Sequence, residues 1–236
     1  MSPSDQRRAE KLREDAMSDA ALIHLVRHGE VHNPEGVLYE RLPGFGLSAR
    51  GRQMAEVLGD WFATAALDLL ISSPLQRAQE TMTPIAAKHE LDFEIDQRLI
   101  EASNRLAGQP LKTKPLSFIK PANFKLYRNP WRPSWGEPYA QVAERMSETI
   151  FDAARRVGPG GQAVLVSHQS PIWLARLKLE GKRLVHSPLA RQCRLASVTS
   201  FTIRDDRCIG VGYVEPAVDL YDEDSARPFS SGGRKR

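Results

Sequence analysis

Arg27-His28-Gly29-Glu30 and Ser167-His168-Gln169 each close a short apolar run, and Arg77 stands one turn into a helix that follows a third such run. Guanidinium groups present a planar fork of donors and stay charged at any working pH, which suits a dianionic group such as phosphate. A neutral imidazole nitrogen among them can attack phosphorus and so split one difficult displacement into two easier ones. His28 is the candidate nucleophile. His168 is the candidate for holding the transferring oxygens and favouring charge build-up in the transition state. The leaving alcohol also needs a proton, and Glu101 is the acid best placed to supply it and then to activate water. Gly29 would let the backbone turn closely around the anion.

These residues can meet only if strands and helices bring them together. Apolar runs alternate with amphipathic stretches, which predicts an α/β fold: a mixed, mostly parallel sheet sandwiched by helices. Leu22 to Val26 reads as a first strand, Leu67 to Ile71 as a second, Phe93 and Ile95 as a third, and Ala163 to Val166 as a fourth. Ser197 to Ile203 and Cys208 to Val214 flank Asp205-Asp206 as a closing hairpin. Ser48 caps a helix whose inward face would hold Met54, Val57, Leu58, Trp61 and Phe62. Ser73 reads as the next N-cap, with Pro74 in the first helical position and Gln76 completing a capping box. A helix opening at Pro138 carries Tyr139, Val142, Met146, Ile150 and Ala154 at helical spacing, Gly158 to Gly161 stop it, and another helix starts near Pro171. Ligands in open α/β sheets bind at the carboxyl ends of strands, which is where the three polar groups fall. The helix starts at Ser73 and Ser170 would add N–H groups and positive dipole ends there.

The 236 residues, 41% hydrophobic and 26% charged, fit one globular domain over 20–216. Residues 1–19 read as a disordered extension and 217–236 as a flexible tail. No stretch approaches a membrane span or a secretory signal, so a cytoplasmic location is expected. Cys193 and Cys208 lack the spacing of a zinc site and read as free thiols. The formal charge of +4 is unevenly spread: seven bases and no acid lie between Glu101 and Glu137, and six bases against Glu180 lie between Arg176 and Arg194. The first of these segments, about 104–136, is Pro-rich and carries Phe118, Phe124, Tyr127, Trp131 and Trp135; it reads as a basic cap that steers an anionic substrate. Nucleic-acid contact ranks behind that reading.

Taken in order, LVRHGE, SSPLQRAQET, the Glu of LIEAS and VLVSHQ resemble the histidine phosphatase superfamily, also called phosphoglycerate mutase-like. The resemblance spans residues 21 to 215. It implies that Arg27, Arg77 and His168 line a phosphate pocket, that His28 is phosphorylated, that Glu101 is the proton donor, and that no metal or cofactor is needed. Asn33 follows RHGE one residue nearer than the family's asparagine does, and stands as a further candidate phosphate ligand. Ala107-Gly108 replaces a common Glu-Gly, and Gln169 takes the place of a small residue.

Hydrolysis of a small phosphate monoester is the reading preferred, since the glycine-rich and lysine-containing segments of phosphoglycerate mutases are not evident. A mutase on the same chemistry and a phosphoprotein- or RNA-binding regulatory protein that keeps the pocket are the alternatives. A homodimer is possible on this reading. Of the remaining histidines, His24 reads as a hydrogen-bonded core residue, His32 as a loop residue, and His89 and His186 as surface positions.

Overall fold

The computed structural model describes residues 19–103, 107–108, 136–187 and 190–222. The expected extension up to residue 18, nearly all of the 104–136 segment and the tail from 223 lie outside the described residues. Strand β1 (Ala21–Arg27) is followed by helix α1 (Ala49–Phe62), β2 (Leu69–Ser72), α2 (Gln76–His89) and the two-residue β3 (Glu94–Ile95). Helix α3 (Tyr139–Val157), β4 (Gln162–Ser167), α4 (Gln169–Leu179), β5 (Val198–Arg204) and β6 (Arg207–Val214) complete the order.

The sheet runs β3-β2-β4-β1-β5-β6. Strands β3, β2, β4 and β1 are parallel, while β5 and β6 join antiparallel at one edge. The expected mixed, mostly parallel sheet is therefore present, and the period of two along each strand explains why it must be covered twice. Ile23 and Leu25 of β1, with Ala163 and Leu165 of β4, point into a core completed by α3 and α4. Val26, Val164 and Val166 point the other way, against α1 and α2. Asp205 and Asp206 both take the left-handed conformation, φ 51° and 54°, that lets a two-residue turn match the twist of β5 and β6.

Ser48 caps α1 as expected, its hydroxyl accepting the Gly51 N–H at 2.9 Å. Met54, Leu58 and Phe62 form the buried stripe, but Trp61 is 42% exposed. A residue next to Phe62 is turned about 100° from it around the helix, so Trp61 lies at the stripe's margin. Helix α2 begins later than the capping box predicts. Leu75 occupies the cap with no side-chain bond, and Gln76 turns along the helix to Glu80. Helix α4 starts at Gln169, two residues before Pro171, which sits in the first turn where its missing N–H costs nothing. Gly158, φ 72°, ends α3.

Residues 217–222, expected to belong to the tail, stay on the domain. Ala217 is buried, the Tyr221 hydroxyl donates to the Leu195 carbonyl at 2.7 Å, and Asp222 pairs with Arg50 at 2.6 Å. An aromatic ring and one ion pair outweigh the polar composition that suggested mobility. No described helix is long and apolar enough to cross a membrane.

Candidate active site

Because β4 lies between β2 and β1, the carboxyl ends of three neighbouring parallel strands open on one rim. Arg27 is in register with Ser167, and Ser72 with Val166. The next residues on each strand, His28, His168 and Ser73, are thereby adjacent. The rings of His28 and His168 lie 5.1 Å apart between centroids, inclined at 58°. Both are almost wholly buried, as are Arg27 and Arg77.

His28 Nδ1 is 2.8 Å from the carbonyl oxygen of Gly29. A carbonyl can only accept, so Nδ1 carries the proton and Nε2 keeps its lone pair. Burial, followed by the positive charges of Arg77 and Arg27, drives the imidazole well below its usual basicity and outweighs the Gly29 bond. The ring is neutral at physiological pH. His168 is shifted the same way, again by burial first and by Arg77 second. Its Nε2 meets the Ser73 hydroxyl at 2.7 Å, while Nδ1 is buried with no partner among the described residues.

Arg27 Nη1 donates to the Cys193 carbonyl at 2.7 Å. Arg77, 1% exposed, donates from Nη2 to the Glu40 carbonyl at 2.7 Å and lies over the Tyr39 ring, 4.7 Å from its centroid. Glu40 adopts φ 37°, a conformation costly for a side chain with a Cβ, in the turn that aims this carbonyl at the guanidinium. Nε of Arg77 is buried without a partner among the described residues. An unsatisfied donor on a buried cation is unfavourable until an acceptor arrives.

Glu101 joins this group. Its carboxyl is pushed above the ordinary range by burial, which prevails over the Ala102 N–H it accepts at 2.8 Å and the charges of Arg77, Arg191 and Arg27. A raised carboxyl near arginines suits a proton donor. The backbone here is pinned from outside: Arg41 Nε donates to the Glu101 carbonyl at 2.6 Å, and both Arg41 and Arg145 pair with Glu137. The Glu137 N–H also donates to the Ser103 carbonyl at 3.0 Å, so the two ends of the basic insertion are joined beside Glu101.

Asn33 is buried but does not join the group through its amide. It donates to the Val37 carbonyl at 2.9 Å and accepts the Val37 N–H at 3.1 Å, closing its own loop. Glu30 of the RHGE run is likewise structural, its carboxylate held by the Ser48 hydroxyl and Arg50 at 2.6 Å each. His32 is exposed. His24 is a core residue, bonded to Ser200 at 2.8 Å. His186, expected on the surface, is half-buried and bonded to Arg191 at 2.9 Å. Tyr39, Thr81 and Arg191 were not singled out for the site by sequence reasoning, and Ser73 was expected there as a helix start rather than as a hydroxyl partner of His168. Thr81, four residues after Arg77, accepts the Gly29 N–H at 3.1 Å and donates to the Arg77 carbonyl at 2.7 Å. That i, i+4 spacing from Arg77 was a readable signal; the loop position of Arg191 offered none.

Residues 23–215 match the histidine phosphatase superfamily (branch 1). The uncharacterized protein Rv0525 of Mycobacterium tuberculosis is 49% identical over 201 residues, 85% of this chain and 99% of that protein. Phosphoserine phosphatase 1 of Hydrogenobacter thermophilus is 30% identical over 152 residues, 63% of this chain and 71% of its own length. Among solved structures, Bacillus stearothermophilus YhfR superposes with a TM-score of 0.69 at 22% identity, covering 84% of this chain and 100% of that one. A mycobacterial glucosyl-3-phosphoglycerate phosphatase gives 0.67 at 22% identity, covering 82% and 97%. At such identities the structural likeness speaks to the fold.

Proposed function

This chain belongs to the histidine phosphatase superfamily, and from that premise we propose that it hydrolyses a small phosphate monoester through a phosphohistidine on His28. The observation that carries the reading is the bond from His28 Nδ1 to the Gly29 carbonyl, which leaves a neutral Nε2 lone pair 5.1 Å, ring to ring, from His168 among buried guanidiniums.

In the first step Nε2 of His28 attacks phosphorus and the bond to the ester oxygen breaks. Glu101 gives its proton to that oxygen, releasing the alcohol. Arg27, Arg77 and His168 hold the three remaining oxygens as charge spreads over them. In the second step Glu101, now a carboxylate, takes a proton from water while its oxygen attacks phosphorus. The N–P bond breaks, inorganic phosphate leaves, and His28 and Glu101 regain their starting forms. Asn33 acts in this scheme as a brace for the loop after His28, through the paired bonds of its amide with the Val37 backbone. The relatives' names place different phosphate esters on this fold, so the alcohol is set by residues around the rim rather than by the fold.

Turnover of phenyl phosphate in the presence of EDTA, with stoichiometric release of inorganic phosphate, is the expected result. His28→Ala should reduce it on the order of a thousandfold or more. Phosphate retained on a second alcohol would instead indicate a mutase. Full activity in His28→Ala would end the proposal.

A further inference from the structure

Arg191 lies on the loop between α4 and β5, two residues before Cys193, whose carbonyl receives the Arg27 guanidinium at 2.7 Å. This connection carries Arg191 to the site: the His186 it bonds packs against Tyr139, two residues after the Glu137 that Arg41 links to the Glu101 carbonyl, and Glu101 and Arg27 are within electrostatic reach of it. The guanidinium is braced from one side only. Its Nε donates to Nε2 of His186 at 2.9 Å. His186 is held as the acceptor there because its Nδ1 faces the Leu184 carbonyl at 2.6 Å and must carry the proton. The rings of Tyr139 and Trp173 flank the imidazole, with centroids at 5.5 and 6.1 Å. A neutral histidine clamped by a carbonyl and two aromatic rings fixes Arg191 through Nε and leaves the Nη1/Nη2 edge for another partner.

That partner is not a carboxylate of the described protein. Arg50, Arg98, Arg145 and Arg176 each contact an Asp or Glu, whereas Arg191 forms no ion pair among the described residues. A partly buried cation without a counter-ion is unfavourable, and an incoming anion relieves it. Glu101 lies within reach of Arg77 and Arg27 and also of Arg191, without an ion pair to any of them. In the reaction proposed above, on which this inference rests, Glu101 stands at the leaving oxygen. Arg27 and Arg77 are taken by the phosphoryl oxygens in that scheme, which leaves Arg191 for the alcohol side of the bond that breaks.

We infer that Arg191, positioned by His186, binds a second anionic group on the alcohol portion of the substrate. The preferred substrates are then phosphate monoesters whose alcohol carries a carboxylate or a further phosphate close to the ester oxygen.

The test compares kcat/KM within matched pairs. O-phosphoserine against O-phosphoethanolamine isolates the carboxylate, and a sugar bisphosphate against the corresponding monophosphate isolates the second phosphate. The parent enzyme should favour the more anionic member of one pair by at least about tenfold, and the pair that responds identifies the group. Arg191→Gln should cut that preference about 10- to 100-fold, mainly through KM, as expected for a lost charge-assisted bond. Arg191→Lys should fall between, keeping charge without the fork. His186→Ala should lower the preference, and His186→Gln, which restores an acceptor, should return most of it. Equal losses on both members of a pair in Arg191→Gln and Arg191→Lys would overturn the inference while leaving the phosphatase reading intact. A parent enzyme that favours the less anionic members would do the same. A parent that hydrolyses no phosphomonoester at all removes both.

Discussion

Burial moves Glu101 and His28 in opposite directions on the pH scale, because it disfavours the charged form of each. His28 stays neutral below 6.5, and Glu101 keeps its proton above 4.5. Both shifts favour the two forms needed for the first step, a free imidazole and a carboxylic acid, and bring their pH ranges toward each other. As pH rises through Glu101's raised value the acid is lost and alcohol departure slows. Glu101→Gln should remove this alkaline limb and slow poor alkyl leaving groups about a hundredfold, with a much smaller effect on nitrophenyl phosphate. A pH–rate profile for both substrates checks it; an unchanged alkaline limb in the variant would take Glu101 out of the mechanism. At this scale the RHGE run and His168 were readable because each sits at the carboxyl end of a strand, where one register decides its direction, and Arg77 because it stands in the first turn of the helix that follows one. Arg191 was not readable, since a loop position has no period and its site neighbour Glu101 lies 90 residues away in sequence.

Two glycines decide whether the first strand's polar end can reach the site. A Cβ on Gly29 would come within 2.6 Å of the Gly51 carbonyl oxygen, and one on Gly51 within 1.9 Å of the Glu30 carbonyl oxygen. The role foreseen for Gly29, room for an anion, is thus joined by a second requirement: the loop after β1 presses directly on the first turn of α1. Ser48 and Glu30 lock this contact by bonding each other at 2.6 Å. Gly51→Ala should destabilise the fold by about 2–3 kcal/mol as backbone is forced apart, and should lower kcat because Gly29 orients His28. Ser48→Ala should cost about 1 kcal/mol, the usual value of a cap. Urea denaturation with matched slopes measures both; a Gly51→Ala protein as stable as the parent would disprove the tight contact. The strands and the α1 cap were legible because local pattern and tertiary demand agree. The start of α2 was not, because Ser73 looks like a cap but its hydroxyl is drawn to His168 across the sheet.

For the molecule as a whole, the site is a place where folding works against itself. Between their lowered folded values and 6.5, His28 and His168 bind fewer protons than the unfolded chain does, so stability falls as pH drops below 6.5. Glu101 has the opposite sign: it retains a proton that the unfolded chain releases, so its contribution declines as pH rises from 4.5 toward its raised value. Arg77 adds to the cost, being desolvated, repelled by Arg27 and left with an unsatisfied buried Nε. An oxyanion that accepts these donors should offset much of this and raise Tm. At a hundredfold excess over Kd the gain is about 2.7 kcal/mol, or roughly 5–10 °C for a domain of this size. Arg77→Met tests whether the strain is kept for the ligand. Without an anion the variant should melt at or above the parent's temperature, since replacing a poorly satisfied buried charge with an apolar side chain of similar length is often neutral or stabilising. Its shift with orthophosphate or vanadate should shrink to a small fraction of the parent's. If scanning calorimetry instead finds Arg77→Met much less stable with its anion response intact, Arg77 is a structural brace for the Tyr39–Glu40 turn, and the positive pocket must be built from the other groups.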